Sequence, residues 1–288
     1  MKRLILSTLT AAILGVSAAA SADNLSIGFA DPLSSLDPQL NNHAGDRSVA
    51  LHFWDLLIEN KWNKLQPGLA VSWKPLDSTT WEFKLREGVK WQDGTPFTAD
   101  DLIYSYTRAR AVPGSVATYA GYLRTIDTMT AKDPLTLIVK TKAPNPDLPL
   151  NLASVHVVSK HVGEKSTTED YNSGKAMVGT GPYKFVSYTP GDRVLMERND
   201  GYWGEKATWD KVNYRYINNA AARTAALLAG DVDVIDKVSV SDLAKLQKAP
   251  NVSVYPYDGL RVMILQPSFN PAPNPVSYTH LRAHETLR

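Results

Sequence analysis

Short segments of alternating apolar and polar residues predict β-strands along the chain. Residues 25–29, 80–85 and 135–140 follow this period of two, and Val89-Lys90-Trp91 repeats it. Because the turn dipeptide Asp93-Gly94 follows, we expect 80–91 to form a β-hairpin with one apolar face. Further strand-like segments are 194–197, 212–217 and 232–235.

Helical patterns occur between these strands. The apolar residues from about Arg47 to Ile58 predict a buried helix. Thr98 is a candidate N-cap, because the acidic Asp100 and Asp101 follow it in the first turn. The alanine-rich segment 220–229 predicts another helix. Since strands and helices are mixed rather than regularly alternating, the predicted fold class is α/β of the mixed α+β kind.

The N-terminus has the pattern of a secretory signal peptide. Basic residues at 2–3 precede an apolar stretch at 4–16, and the small residues 20–22 follow. We therefore predict cleavage between Ala22 and Asp23 and an exported mature protein. A membrane anchor is the alternative, but a spanning helix needs about 20 apolar residues.

Composition narrows the compartment and the partners. The chain has no cysteine, which excludes disulfides, thiolate metal sites and the acylated cysteine of lipoproteins. An exported protein without such an anchor is expected in a Gram-negative periplasm. The net charge is +2, from 31 basic and 29 acidic residues, so overall charge indicates neither nucleic acid nor an anionic membrane as a partner.

The C-terminal segment differs from the rest of the chain. Residues 276–288 resemble a translated sequencing adaptor, which would mean that the native reading frame is interrupted near Pro275. A genuine polar tail is the alternative. His280 and His284 have the spacing of a helical metal site, but we exclude this segment from fold prediction.

A long motif carries a resemblance to a known family. Residues 81–105 contain Trp81, Trp91, Gly94, Pro96 and Asp100 in the register of the signature of family 5 extracellular solute-binding proteins. This family includes the dipeptide, oligopeptide and nickel binding proteins of ABC importers. Four further stretches resemble family motifs in the family's order: 36–38, 178–185, 198–204 and 226–233. The resemblance extends from Leu25 to about Asn270.

Most of these motif residues also have a structural explanation. Trp81, Phe83, Leu85 and Trp91 are expected in a core. The Gly179-Thr180-Gly181 segment lacks the lysine and glycine spacing of a phosphate-binding loop, so we expect its glycines to allow a close approach to a neighbouring strand.

The resemblance implies a two-lobed, periplasmic-binding-protein type II-like fold whose first lobe carries an inserted α+β domain. The expected boundaries are 1–22 for the signal peptide, 23–47 and 171–262 for the first lobe, 48–170 for the inserted domain, 263–275 for the start of a second lobe that is otherwise missing, and 276–288 for the adaptor-like segment.

The resemblance also implies a function. A family member binds a di- or oligopeptide, or a related small solute, between its lobes and delivers it to an ABC permease and ATPase at the inner membrane. We expect a monomer without a cofactor. The residues expected at the cleft are Asn41, Asn42, His43, Tyr119 and Tyr122, with exposed loop or structural aromatic positions as the alternative.

Enzymatic motifs are not evident in the sequence. It has neither a Gly-x-Ser-x-Gly elbow nor a His-Glu-x-x-His pair, and His156 and His161 lie five apart. Asp231, Asp233 and Asp236 lack the glycine and glutamate of a calcium loop, so we interpret them as solvated carboxylates flanking a strand. A periplasmic hydrolase, or a sensory or chaperone protein of the same fold, are the alternative functions.

Overall fold

Strands β1 to β11 form three separate sheets in the computed structural model, which describes residues 24–256. A five-stranded sheet has the order β11-β1-β10-β9-β8, a four-stranded sheet has the order β4-β5-β7-β6, and β2 and β3 form a hairpin. The strands are β1 (Asn24–Phe29), β2 (Ile58–Lys61), β3 (Lys64–Pro67), β4 (Ala70–Pro75), β5 (Thr80–Leu85), β6 (Ile126–Asp133), β7 (Thr136–Thr141), β8 (Tyr183–Thr189), β9 (Arg193–Arg198), β10 (Lys211–Tyr216) and β11 (Val234–Ile235).

Eight helices accompany these strands in the described part of the chain. They are α1 (Ala44–Phe53), α2 (Ala99–Arg108), α3 (Ala120–Leu123), α4 (Leu148–Leu152), α5 (Lys160–Gly163), α6 (Thr168–Asn172), α7 (Ala220–Ala229) and α8 (Val240–Lys248). All of these elements lie before Pro250, where a second unit of the chain begins. Within residues 24–256, no helix is both long and apolar enough to cross a bilayer.

Strand β1 lies inside the five-stranded sheet, although its partners are distant in sequence. It runs parallel to β10, with Asn24 opposite Lys211 and Phe29 opposite Tyr216, and parallel to β11. The remaining pairs of this sheet are antiparallel. The mixture of strands and helices confirms the predicted fold class, whereas the division into lobes and an inserted domain stays a prediction.

The helix α2 begins as its sequence indicates. The Thr98 and Asp101 side chains form a capping box with each other's backbone N–H groups, and Asp101 also accepts a hydrogen bond from the Lys160 N–H at 2.8 Å. The alanine-rich helix α7 occupies the predicted residues, with Asn219 as its N-cap.

The predicted helix from Arg47 to Ile58 is wrong at both ends. Helix α1 spans Ala44–Phe53, and Leu56 forms a β-bridge with His156 instead. The Leu56 and Leu57 carbonyls also accept hydrogen bonds from the N–H groups of Leu69 and Ala70. These backbone bonds to distant segments account for the early end of the helix.

The predicted hairpin over 80–91 is also wrong in its partners. Strand β5 pairs with β4 and β7, both antiparallel. The turn at Asp93-Gly94 is closed instead by a bridge between Lys90 and Pro96. Three of the four expected core residues, Phe83, Leu85 and Trp91, are buried, while Trp81 packs against the core but stays half-buried.

The segment 178–185 packs against the end of helix α1. The Gly181 N–H donates to the Phe53 carbonyl at 2.9 Å. A Cβ atom on Gly179 would lie 1.8 Å from the same oxygen, so the close approach that we predicted exists. Its partner, however, is the C-terminal end of a helix rather than a strand.

A buried ion pair joins three segments. The Asp37 carboxylate, which is fully buried, accepts hydrogen bonds from Arg108 Nη1 at 2.9 Å and Arg108 Nη2 at 2.6 Å. Thr168 Oγ1 donates to the same carboxylate at 2.8 Å, and the Gln39 N–H donates at 3.1 Å. The loop after β1 is therefore attached to the end of α2 and the start of α6.

The family-like motif at 198–204 is held by one carboxylate. Asp55 accepts hydrogen bonds from the Tyr202 hydroxyl at 3.0 Å and the Trp203 indole N–H at 2.8 Å. Burial raises the pKa of Asp55 and outweighs these hydrogen bonds, which lower it. Arg86 lies over the Trp203 ring at 4.4 Å.

Candidate functional site

The carboxyl end of β1 is where the fold places its candidate site. In open α/β sheets, ligands bind at the carboxyl ends of parallel strands. Strands β1, β10 and β11 are parallel and end at Phe29, Tyr216 and Ile235 on the same edge. The loop 30–43 leaves β1 at this edge and contains three of the predicted site residues.

Three of the five predicted residues, Asn42, Tyr119 and Tyr122, lie together. Asn42 Nδ2 donates to the Tyr122 hydroxyl at 3.3 Å, and the Asn42 N–H donates to the Ala117 carbonyl at 2.8 Å. The rings of Tyr119 and Tyr122 are 6.3 Å apart. The fold therefore brings the loop after β1 against the segment 115–122, although these segments are far apart in sequence.

Burial separates these residues into two groups. Asn41 and Tyr119 are buried, and the Asn41 side chain already accepts from the Val116 N–H at 3.0 Å and donates to Ser34 Oγ at 3.1 Å. Asn42 and Tyr122 are half-buried, and His43 is exposed. Asn42, His43 and Tyr122 thus have surface that a ligand can reach, whereas Asn41 and Tyr119 hold the loop in place. Contact of any of the five with a ligand stays a prediction.

Asp46 supports the loop from the first turn of α1. Its carboxylate accepts hydrogen bonds from both the N–H, at 2.7 Å, and the hydroxyl of Ser34. Burial raises the pKa of Asp46, because removal from water disfavours the charged form more than these hydrogen bonds favour it.

Replacing Asp46 by asparagine is expected to change the pH dependence of stability. The raised pKa means that folded Asp46 keeps its proton to a higher pH than unfolded Asp46. The stability linked to this group is therefore present below the unfolded value of about 3.9 and is lost as pH rises through the folded value. The contribution of Asp46 to stability should fall as pH rises from about 4 to about 7, and Asp46→Asn should remove this fall. Urea unfolding midpoints across this pH range measure the difference. Parallel curves for the wild type and Asp46→Asn would contradict it, and the exposed Asp231→Asn is the control.

Arg223 organises the other side of this edge, and the sequence analysis missed it. The side chain is buried and donates to the carbonyls of Ile217 at 2.8 Å, Asn218 at 2.7 Å and Lys237 at 2.9 Å. It thus ties the loop after β10 to the loop after β11. An arginine within an alanine-rich helix was the only available signal.

The acidic residues near β11 do more than the sequence analysis predicted. Asp233 Oδ2 accepts from the Ser26 N–H and Asp236 Oδ1 accepts from the Ala30 N–H, each at 2.8 Å. Asp233 is exposed and Asp236 is half-buried, and besides flanking β11 they accept hydrogen bonds from β1 and from the residue that follows it. Among residues 24–256, no three His, Cys, Asp or Glu side chains are grouped so that they could hold a metal ion.

An aromatic cleft lies beside the same strand ends. The space within it that water can occupy is small, about 20 Å³, and the cleft is otherwise open to solvent. Its apolar lining comes from β1, α1, the strands β8 and β10, and their connecting loops: Phe29, Leu33, Val49, Tyr188, Tyr214 and Tyr216. Asp31, Asp192 and Arg193 also line it, so charges of both signs lie near apolar surface, with Arg193 ion-paired to Asp192 and Asp31 to Lys237.

A hydrogen-bonded chain of Ser159, His161 and Asp93 bears on the hydrolase alternative. Ser159 Oγ lies 2.7 Å from His161 Nδ1, and His161 Nε2 lies 2.7 Å from Asp93 Oδ2. Ser159 is only 2% exposed, and its hydroxyl caps helix α5. Because a substrate cannot reach this hydroxyl, the three residues stabilise local structure rather than form a nucleophilic site.

Comparisons with known proteins give the family. The model of the bacterial extracellular solute-binding proteins, family 5 middle, matches residues 64–283. This range includes part of the segment 276–288, which lies outside the described residues, as do the predicted signal peptide and cleavage site.

One curated relative and two solved structures illustrate the similarity. The periplasmic oligopeptide-binding protein OppA of Salmonella typhimurium is 28% identical over 294 residues, which cover 89% of this chain and 53% of OppA. The Helicobacter pylori periplasmic binding protein DppA, in complex with the peptide STSA, is 25% identical with a TM-score of 0.70, over 80% of this chain and 50% of DppA. A nickel ABC transporter protein from Bacillus halodurans is 29% identical with a TM-score of 0.68, over 79% of this chain and 46% of its own.

This chain spans about half the length of the relatives that it matches. The Salmonella relative is a binding protein rather than an enzyme. The family model covers most of the chain, and the resemblance seen in the motifs is confirmed. The chain belongs to family 5 of the bacterial extracellular solute-binding proteins.

Proposed function

We propose that this chain is part of a periplasmic substrate-binding component of an ABC importer that binds di- or oligopeptides. The match to the family 5 model over residues 64–283 carries the proposal. In this proposal, residues 23–47 and 171–262 form the first lobe, 48–170 form the inserted domain, and cleavage after Ala22 releases a monomer into the periplasm. The protein needs no cofactor and delivers its ligand to a membrane permease and its ATPase.

The geometry supports a peptide ligand. Asn42 on the loop after β1 and Tyr122 in α3 are half-buried and hydrogen-bonded to each other, and an aromatic cleft lined also by Asp31 and Arg193 lies at the end of β1. Extended peptides combine backbone polar groups, terminal charges and apolar side chains, so they suit such a surface.

A nickel ligand has less support from the described residues. The Bacillus halodurans neighbour is named for nickel. Residues 24–256 of this chain, however, group no three side chains of the types that bind metals in proteins. Peptide therefore remains the proposed ligand class.

The first experiment reads the source gene through codon 275 and tests its product with a mixed peptide pool. We expect an open frame that continues into a second lobe, peptides that co-purify with the product, and mass spectra in which the pool is unchanged. Cleaved peptides would favour the hydrolase instead. A genuine stop after Arg288, or a product that retains no peptide, would refute the carrier function for this gene.

Asn42→Ala is expected to weaken peptide binding by the gene product about fivefold to tenfold. A net contribution of about 1 kcal/mol is typical for one hydrogen bond, and Asn42 offers a half-buried amide at the predicted cleft. Isothermal titration with a peptide recovered from the pool measures the change. Asn60→Ala, at an exposed position in β2, is the matched control and should bind as the wild type does. Equal affinities of all three proteins would exclude Asn42 from the site.

A further inference from the structure

The tip of the β2–β3 hairpin combines an unusual backbone with an unusual residue. Lys61 pairs with Lys64, so the loop between the strands has only the two residues Trp62 and Asn63. Both have positive φ, 55° for Trp62 and 60° for Asn63. A two-residue loop of this kind favours Asn-Gly or Asp-Gly, because large side chains are strained at positive φ.

Nothing at the tip compensates for this strain within the described structure. Trp62 is 87% exposed, which makes it one of the most exposed large apolar side chains of residues 24–256. Glycine or asparagine would form the same turn with less strain and without exposed apolar surface. A strained residue that does not stabilise its own fold is a candidate for contact with something else.

The charges next to Trp62 are positive. Lys61 and Lys64 flank the turn, and both are exposed. Lys61 forms an ion pair with Glu59, while Lys64 has no ion-pair partner among residues 24–256. The tip residues 60–65 contain two lysines and no acidic residue. With Glu59 included, the residues 59–65 therefore carry a net charge of +1, which Lys64 supplies.

We propose that this tip binds the surface of a bilayer that contains anionic phospholipid. An indole suits the boundary between headgroups and acyl chains, because its ring is apolar and its N–H is polar. Lysine ammonium groups on either side are then placed to meet phosphates. A convex tip with a single large ring needs either a matching pocket or a deformable surface, and a bilayer surface is deformable.

This inference does not depend on the peptide-binding function. It concerns a hairpin that shares no residue with the candidate site, and it needs neither a ligand nor a second lobe. In the proposed periplasmic setting, the contact would hold the carrier weakly near the membrane where an importer operates.

Vesicle binding by the full chain tests the proposal. We would measure co-sedimentation with vesicles of phosphatidylglycerol and phosphatidylcholine in equal amounts, and with phosphatidylcholine alone. Trp62→Gly should lower the partition coefficient onto the mixed vesicles at least about fivefold, because it removes the exposed indole of the tip. Lys64→Gln should weaken binding to the mixed vesicles only, and salt should weaken it further.

The variants also distinguish lost contact from lost folding. Because glycine relieves the strain at φ 55°, Trp62→Gly should keep its melting temperature or raise it by about 2 °C. Val240→Ala, at an 89% exposed apolar position outside the hairpin, should bind vesicles as the wild type does. The proposal fails if the wild type does not bind the mixed vesicles or if Trp62→Gly binds them as well as the wild type does. It also fails if the tip binds only a protein.

Discussion

Asp37→Ala is expected to lower the free energy of unfolding by about 3–5 kcal/mol, the largest effect of any charge removal that we predict. The Arg108 guanidinium, with only 12% of its side chain exposed, would lose both of its hydrogen bonds to Asp37 and remain as a buried unpaired charge. Thr168 and Gln39 would lose their acceptor as well. Urea denaturation at neutral pH measures the change.

A double variant separates the ion pair from simple loss of packing. Asp37→Leu combined with Arg108→Met replaces both charges by apolar groups, so it should be clearly more stable than Asp37→Ala alone. Asp77→Ala, which removes an exposed carboxylate that hydrogen-bonds only within its own turn to Thr79, should lower stability far less than Asp37→Ala. Similar losses of unfolding free energy for Asp37→Ala and Asp77→Ala would show that the buried ion pair contributes no more to stability than an exposed carboxylate.

Gly179→Ala is expected to destabilise the protein by about 3 kcal/mol or to prevent folding. The added methyl group would lie 1.8 Å from the Phe53 carbonyl oxygen and 2.7 Å from the carbonyl carbon. Because these are backbone atoms at the end of α1, no side-chain rotation can relieve the overlap, and the helix and the segment 178–185 must separate. Thermal unfolding followed by far-UV circular dichroism measures the effect.

Gly121→Ala is the matched control for this prediction. An added Cβ there has no neighbour within 4 Å, and Gly121 lies in helix α3, where alanine is favoured. We expect a melting temperature that is unchanged or slightly higher. If Gly179→Ala is tolerated equally well, the contact between the segment 178–185 and α1 must be looser than described.

Local signals in the sequence predicted local structure well. The N-cap of α2 follows from Thr98 and the acidic residues after it, since a capping box needs only four consecutive residues. Helix α7 follows from its alanines in the same way. The strands at 80–85 and 135–140 were also located correctly, because alternation is a property of each segment alone.

Pairing between distant segments could not be predicted in this way. Helix α1 ends at Phe53 because Leu56 pairs with His156, which lies a hundred residues away. Strand β5 takes β4 and β7 as partners rather than the neighbouring residues 89–91. The β2–β3 turn was not predicted for another reason. Its residues Trp62-Asn63 do not have the usual composition of a two-residue hairpin turn.

The candidate site depended on both kinds of information. Asn42 and Tyr122 were named together only through the family resemblance, and their hydrogen bond at 3.3 Å joins residues that no local pattern connects. Arg223 could not be identified, because its role rests on carbonyl groups of two loops that come together only in the fold.

The pairing of β1 with β10 has a consequence for the order of events during synthesis. Asn24 emerges from the ribosome early, but its partner Lys211 follows only 187 positions later. At about 5–20 residues per second, β1 waits roughly 10–40 s for the strand beside it. The five-stranded sheet therefore cannot form while its N-terminal end is being made. An export machinery that accepts unfolded chains would have that interval in which to engage the nascent protein.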